Sequence, residues 1–127
     1  MTILLDTHVL YWWITGAGYL STAQRQVLGD ASQRILVSAV TGWEIAIKVK
    51  IGKWPGAAAL VPRLEEAILA EGFSFLDLTL SQAKRAGSLD LVHRDPFDRM
   101  LAAQALDLDL TVATVDRAFA VLGCKVV

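Results

Sequence analysis

Five short strand-like runs constrain this chain more than any other feature. They are Ile3-Leu4-Leu5, Ile35-Leu36-Val37, Phe73 to Leu78, Thr111 to Thr114 and Lys125 to Val127. Between them lie segments with helix signals, and that alternation predicts an α/β fold on a parallel sheet. Thr7 to Trp13 is apolar with helical character until Gly16 and Gly18 break it. Ser21 is placed to cap a helix over 22–30, and an Ala- and Leu-rich helix is expected over 57–70. Ser81 opens a short helix through Ala86, closed by Gly87. Asp95-Pro96 is a strong helix start, an Asp cap with Pro at the first helical position, and that helix should reach Leu106. A last short helix spans Arg117 to Leu122.

Residues 39–51 read two ways. Trp43, Ile45, Ile47, Val49 and Ile51 alternate with polar or small residues, which is the period of a strand. Ser38 and Thr41 are helix-start residues, however, and Thr41 with Glu44 has capping-box spacing. Glu44 and Lys48 also stand at a favourable helical i, i+4 interval.

At 127 residues the chain predicts one domain over 1–127, with no repeat or linker. Its 54% hydrophobic content is high, so part of that apolar surface is expected to meet a partner. Trp12, Trp13, Trp54 and the 57–70 segment are candidates for that surface. Twelve basic and 13 acidic side chains leave a net charge of −1, so no global positive field draws in nucleic acid. The single cysteine, Cys124, excludes an internal disulfide and a cysteine zinc cluster, and is expected to be buried. The start of the chain lacks the basic region of a signal peptide, and the apolar run Val9 to Ile14 is too short to span a bilayer. A cytoplasmic protein is expected.

Four acids then stand out: Asp6, Glu44, Asp98 and Asp116. Asp6 and Asp116 follow strand-like runs, and in a parallel sheet such positions collect at one edge, where open α/β proteins place their sites. Unpaired carboxylates repel each other, so such a cluster is best tolerated around hard cations. Each acid also has a structural alternative. Asp6 and Asp116 would make good helix caps, and Glu44 could close a capping box or pair with Lys48. Asp95 takes the cap ahead of Pro96, which leaves Asp98 in the first turn for function. Asp116 suits a water-mediated role, with Thr114 helping to orient it. Lys48, Lys50 and Lys53 form a basic strip, and Arg94 and Arg99 flank the acidic pair, close enough to suit phosphate contacts. His8 and His93 are too few for a histidine cage, and no Walker-type loop or nucleophile elbow is present.

At these residues the chain resembles the PIN-domain family, in particular the VapC-type toxins of bacterial toxin–antitoxin pairs. Leu4-Leu5-Asp6-Thr7-His8 resembles the opening strand and first acid. Trp43-Glu44-Ile45-Ala46-Ile47-Lys48 resembles the second-acid helix, which favours helix over strand for 39–51. His93 to Arg99, followed by Met100-Leu101-Ala102-Ala103-Gln104-Ala105, resembles the third-acid helix, and Thr114-Val115-Asp116 with Phe119 the fourth motif. The resemblance implies a parallel five-stranded sheet flanked by helices. It also implies a metal-dependent endoribonuclease that leaves a 5′-phosphate and a 3′-hydroxyl. Asp6, Glu44, Asp98 and Asp116 fall on the acidic quartet that would hold Mg²⁺ or Mn²⁺ and activate water. A VapB-like antitoxin that blocks the site and a homodimer are the implied partners. Two rivals are an aspartyl-phosphate phosphotransferase and a non-catalytic PIN-like scaffold. The first often has a second Asp two residues after the nucleophile, where this chain has His8; the second would be expected to lose acids.

Overall fold

The computed structural model describes residues 1–90 and 95–127. His93 and Arg94, singled out above, lie outside the described residues. Five parallel strands form one sheet: β1 (Thr2–Leu5), β2 (Arg34–Ser38), β3 (Ser74–Leu76), β4 (Thr111–Ala113) and β5 (Lys125–Val126). Their spatial order is β3-β2-β1-β4-β5, which puts the first strand at the centre. After β1 the chain builds outward through β2 and β3, then crosses to the other side for β4 and β5. The reversal falls between β1 and β4.

The central strands β1, β2 and β4 are mainly apolar where they are buried, because helices cover the sheet on both faces there. Ile3, Leu5, Ile35 and Val37 enter one core with Val9 and Leu10 of α1 (Thr7–Thr15) and Ile45 of α3 (Ala39–Lys50). Leu4, Leu36 and Val112 point the other way, onto Leu101, Ala102 and Ala105 of α6 (Pro96–Leu108) and Phe119 of α7 (Ala118–Val121). The remaining helices are α2 (Thr22–Gly29), α4 (Leu64–Ala70) and α5 (Leu80–Ser88).

Most expected elements stand where the patterns put them, and several details differ for physical reasons. The segment over 57–70 is not one helix. Short 3₁₀ turns at Pro55–Ala57 and Val61–Arg63 precede α4, because Pro62 cannot donate the backbone bond a continuous helix needs there. The cap of α5 is Thr79, not Ser81. Thr79 accepts from the Gln82 backbone while the Gln82 side chain accepts from the Thr79 backbone, and the helix runs past Gly87. The third strand is shorter than Phe73 to Leu78.

Residues 39–50 are helical, started by Ser38, whose hydroxyl accepts from the Val40 N–H. The Thr41 box is not used, since Thr41 is buried with its hydroxyl 3.0 Å from that of Thr7. The misleading alternation has a simple origin. Trp43, Ile47 and Ile51 sit at i, i+4, i+8 and form an exposed stripe, while Ile45 faces the core. Cys124 is buried as expected.

Candidate functional site

Asp6, Glu44, Asp98 and Asp116 line one cleft of about 250 Å³, together with His8, Trp12, Lys48, Asp95 and Val115. It opens beyond the carboxyl ends of β1, β2 and β4, at the reversal point of the strand order. Four acids far apart in sequence thus meet at one edge of the sheet.

Asp6 follows β1 directly and occupies the cap position of α1, yet its side chain makes no capping bond. It accepts instead from the Thr114 hydroxyl at 2.8 Å, across the seam between β1 and β4. The simple capping explanation for Asp6 therefore fails. Burial pushes its carboxyl above the usual range and the neighbouring Glu44 charge adds to this, while the Thr114 bond and His8 oppose it.

Thr114 has a second task. Its oxygen accepts from the Asp116 N–H at 2.9 Å, so one hydroxyl joins the first and fourth acids. Asp116 keeps a structural duty as well, accepting from the Ala118 N–H at 2.9 Å at the start of α7.

Glu44 projects from α3 and is only 2% exposed. One oxygen, Oε2, pairs with the Lys48 ammonium one turn on; the other, Oε1, is buried without a hydrogen-bond partner. Lys48 also lies 5.5 Å from the centre of the Phe97 ring. Burial lowers the Lys48 pKa, but the bond to Glu44 and the charges of Glu44, Asp95 and Asp98 outweigh it, and the net shift is upward. The lysine is held firmly charged among the acids.

Asp95 caps α6 as expected, accepting from the backbone N–H of Phe97 at 2.9 Å and of Asp98 at 3.4 Å. Asp98, in the first turn, lines the cleft. Arg99 departs from expectation. It is buried and donates to the backbone carbonyls of Ala86, Gly87, Leu89 and Asp90, so it tethers the end of α5 rather than facing a phosphate. Behind the cleft, Ser38 donates to Gln104 Oε1 at 2.6 Å, and Gln104 Nε2 donates to Asp77 O and Gln82 Oε1. This buried network locks the start of α3 to α5 and α6.

The aromatic residues divide. His8 stacks on Trp54 at 4.7 Å, and Trp12, Trp13 and Trp54 pack partly against the core. Trp43 is 52% exposed and meets Phe97 edge-on at 4.8 Å, beside the cleft. Trp43 begins an exposed stripe that the strand-like alternation of residues 43–51 masked. The signal was there, because Trp43, Ile47 and Ile51 are spaced for one helical face.

The five carboxylates in the lining are the donor type that hard divalent cations take, and the orphaned Glu44 oxygen is an open ligand atom. Among the described residues, no three acidic, histidine or cysteine groups already stand at cation-holding spacing. The donor chemistry therefore fits Mg²⁺ or Mn²⁺, with side-chain rotation needed to gather the carboxylates.

The sequence profile of the PIN domain matches residues 3–123. The chain belongs to the PIN-domain family. This PIN domain is 32% identical over 117 residues to Ribonuclease VapC22 of Mycobacterium tuberculosis, which covers 91% of the chain and 88% of that relative. It superposes on VapBC2 from Rickettsia felis, solved bound to a promoter DNA fragment, with a TM-score of 0.71 at 14% identity, covering 100% of this chain and 98% of that one. A toxin–antitoxin complex from Klebsiella pneumoniae gives 0.66 at 20% identity, with 98% and 95% covered. At those identities the two structures speak for the PIN fold.

Proposed function

We propose that the chain is a divalent-metal-dependent endoribonuclease, over residues 1–127 as one unit, and the toxin of a toxin–antitoxin pair. The observation that carries this reading is the lining of a single cleft by Asp6, Glu44, Asp98 and Asp116. The relationship to a ribonuclease at 32% identity supports it. Asp6, Glu44 and Asp98 hold Mg²⁺ or Mn²⁺, and Asp116 positions the ion or its water. A bound cation supplies Lewis-acid activation of water and offsets charge building on the phosphate. The protein's own part is placement. Thr114 fixes Asp6 and the Asp116 backbone relative to each other, Asp95 anchors the turn that carries Asp98, and Ser38 starts the helix that carries Glu44. Lys50 and Lys53 remain on an exposed face, where they suit phosphate contacts. The products carry a 5′-phosphate and a 3′-hydroxyl.

The partner is an antitoxin of the VapB kind. The Trp43, Ile47 and Ile51 stripe supports this, because it offers apolar contact beside the acids. A homodimer and a cytoplasmic location complete the reading; among the described residues no helix is long and apolar enough to cross a membrane.

The test is cleavage of a mixed structured-RNA pool by the purified chain in Mg²⁺ or in EDTA, beside an identically prepared Asp98→Asn protein. Cutting that needs Mg²⁺ and vanishes in the variant is expected. Equal cutting by both proteins would sink the assignment of Asp98. Failure of the unmutated protein both to bind metal and to cut would sink the nuclease reading.

A further inference from the structure

We propose that Lys48 is a displaceable counter-ion of the acidic cleft: its ammonium takes the place beside Glu44 that a divalent cation must enter, and leaves when the cation binds. The proposal rests on the nuclease reading for the identity of the cation, and on four observations of the chain itself. Lys48 pairs with Oε2 of a glutamate that is almost wholly buried. The second oxygen of that glutamate, Oε1, is buried with no hydrogen-bond partner, so the lysine satisfies half of the carboxylate and leaves the other half open. The same cleft is lined by Asp6, Asp95, Asp98 and Asp116, so the ammonium sits within a field of like-signed acids. Among the described residues, no three potential ligands are yet gathered at cation-holding spacing.

The physical sense is charge balance. A buried carboxylate with no compensating charge is expensive, and a cluster of them more so. Lys48 offsets part of that expense through Glu44, one helical turn away. A divalent ion brings twice the charge to the same oxygens, and an ammonium held against it would repel it. The two cations therefore compete for Glu44. Lys48 has a way out, because its side chain is 24% exposed and hangs on a flexible stem. Once released, it stays tethered at the mouth of the cleft, where a free ammonium suits a phosphodiester oxygen. One side chain would then serve two anions in succession, the carboxylate before metal entry and the substrate backbone after it.

The test is Mn²⁺ binding by titration calorimetry on the unmutated protein and on Lys48→Met, which keeps an unbranched side chain and removes the charge. Circular dichroism checks that the variant folds. The variant should bind Mn²⁺ at least about tenfold more tightly, a difference of about 1.4 kcal/mol. Nitrogen-15 spectra provide a second readout on the unmutated protein, with the Lys48 ammonium signal identified by its loss in Lys48→Arg. That signal should move to the position of a free lysine as Mg²⁺ saturates the site. Unchanged or weaker Mn²⁺ binding by a folded Lys48→Met protein would overturn the proposal. So would an ammonium signal that does not move at saturating Mg²⁺, and this second readout decides alone if the variant does not fold. Absence of metal binding in both proteins would remove the cation itself, and with it the metal-dependent nuclease reading. Metal binding with a stationary Lys48 would remove only the displacement.

Discussion

Burial pushes the Asp6 carboxyl upward, and the partners that oppose this, Thr114 and His8, do not cancel it. A carboxyl whose folded pKa lies above its unfolded value favours the fold fully below the unfolded pKa. That contribution is lost as pH rises through the folded pKa. Without a cation, the chain should therefore lose stability through Asp6 as pH rises from about pH 4 toward neutrality. Replacing Asp6 by Asn should flatten this part of the profile and raise the neutral-pH melting temperature by a few degrees, roughly. Thermal melts in EDTA across that pH interval would check it, and an unchanged slope would show that Asp6 is not the group responsible. Thr114→Val tests the other side of the same bond. Removing a hydroxyl that donates to Asp6 and accepts from Asp116 should destabilise by about 1–2 kcal/mol. RNA cleavage should fall more than stability explains, because both acids lose their alignment. At this scale the sequence picked out four acids that line one cleft and placed Thr114 with Asp116, but it gave no sign of the bond from Thr114 to Asp6. The Thr114 bond spans 108 residues, and nothing local to either residue announces it.

The end of α5 and the start of α6 are joined by Arg99, whose guanidinium satisfies four backbone carbonyls in the last turn of α5 and just beyond it. Arg99→Met keeps much of the volume and strands those acceptors, so a loss of about 3 kcal/mol or more in urea unfolding is expected. A loss below about 1 kcal/mol would mean that water replaces the guanidinium without penalty. The same residue shows where reading a sequence fails. Beside Asp98 it looked like a phosphate contact, but a helix turn separates neighbours in direction, and Arg99 faces inward while Asp98 lines the cleft. Elements with strong end signals were legible: the Asp95-Pro96 start and the Ser21 cap both stand. Those that depended on competing local signals were not. Pro62 broke a helix that composition favoured, and α3 looked like a strand because its core face and its exposed stripe are both apolar.

For the whole molecule, the alternation of short runs with helices was enough to establish a parallel sheet, since few other arrangements bury such strands on both faces. Strand order was not legible, and strand order makes the site. Only the reversal between β1 and β4 sets Asp6 beside Thr114 and Asp116. If the cleft takes a cation, folding and binding are linked. At a Mg²⁺ concentration of about 100 times Kd, the unmutated protein should gain about 2.7 kcal/mol of stability, reversed by EDTA. Asp98→Asn should gain much less. Equal stabilisation of both proteins would place the ion elsewhere.

The central position of β1 has a consequence for synthesis. The first strand made is flanked on one side by β2, which follows within some thirty residues, and on the other by β4, which begins at Thr111. A chain still being made therefore exposes one edge of its innermost strand until β4 has emerged. The acids are spread in the same way, from Asp6 to Asp116, so no early fragment carries the whole cleft. A chain that stops between Glu44 and Asp98 would carry Asp6 and Glu44 without the last two acids. Assembly order thus delays the site: the cleft cannot form before β4 and Asp116 have been made.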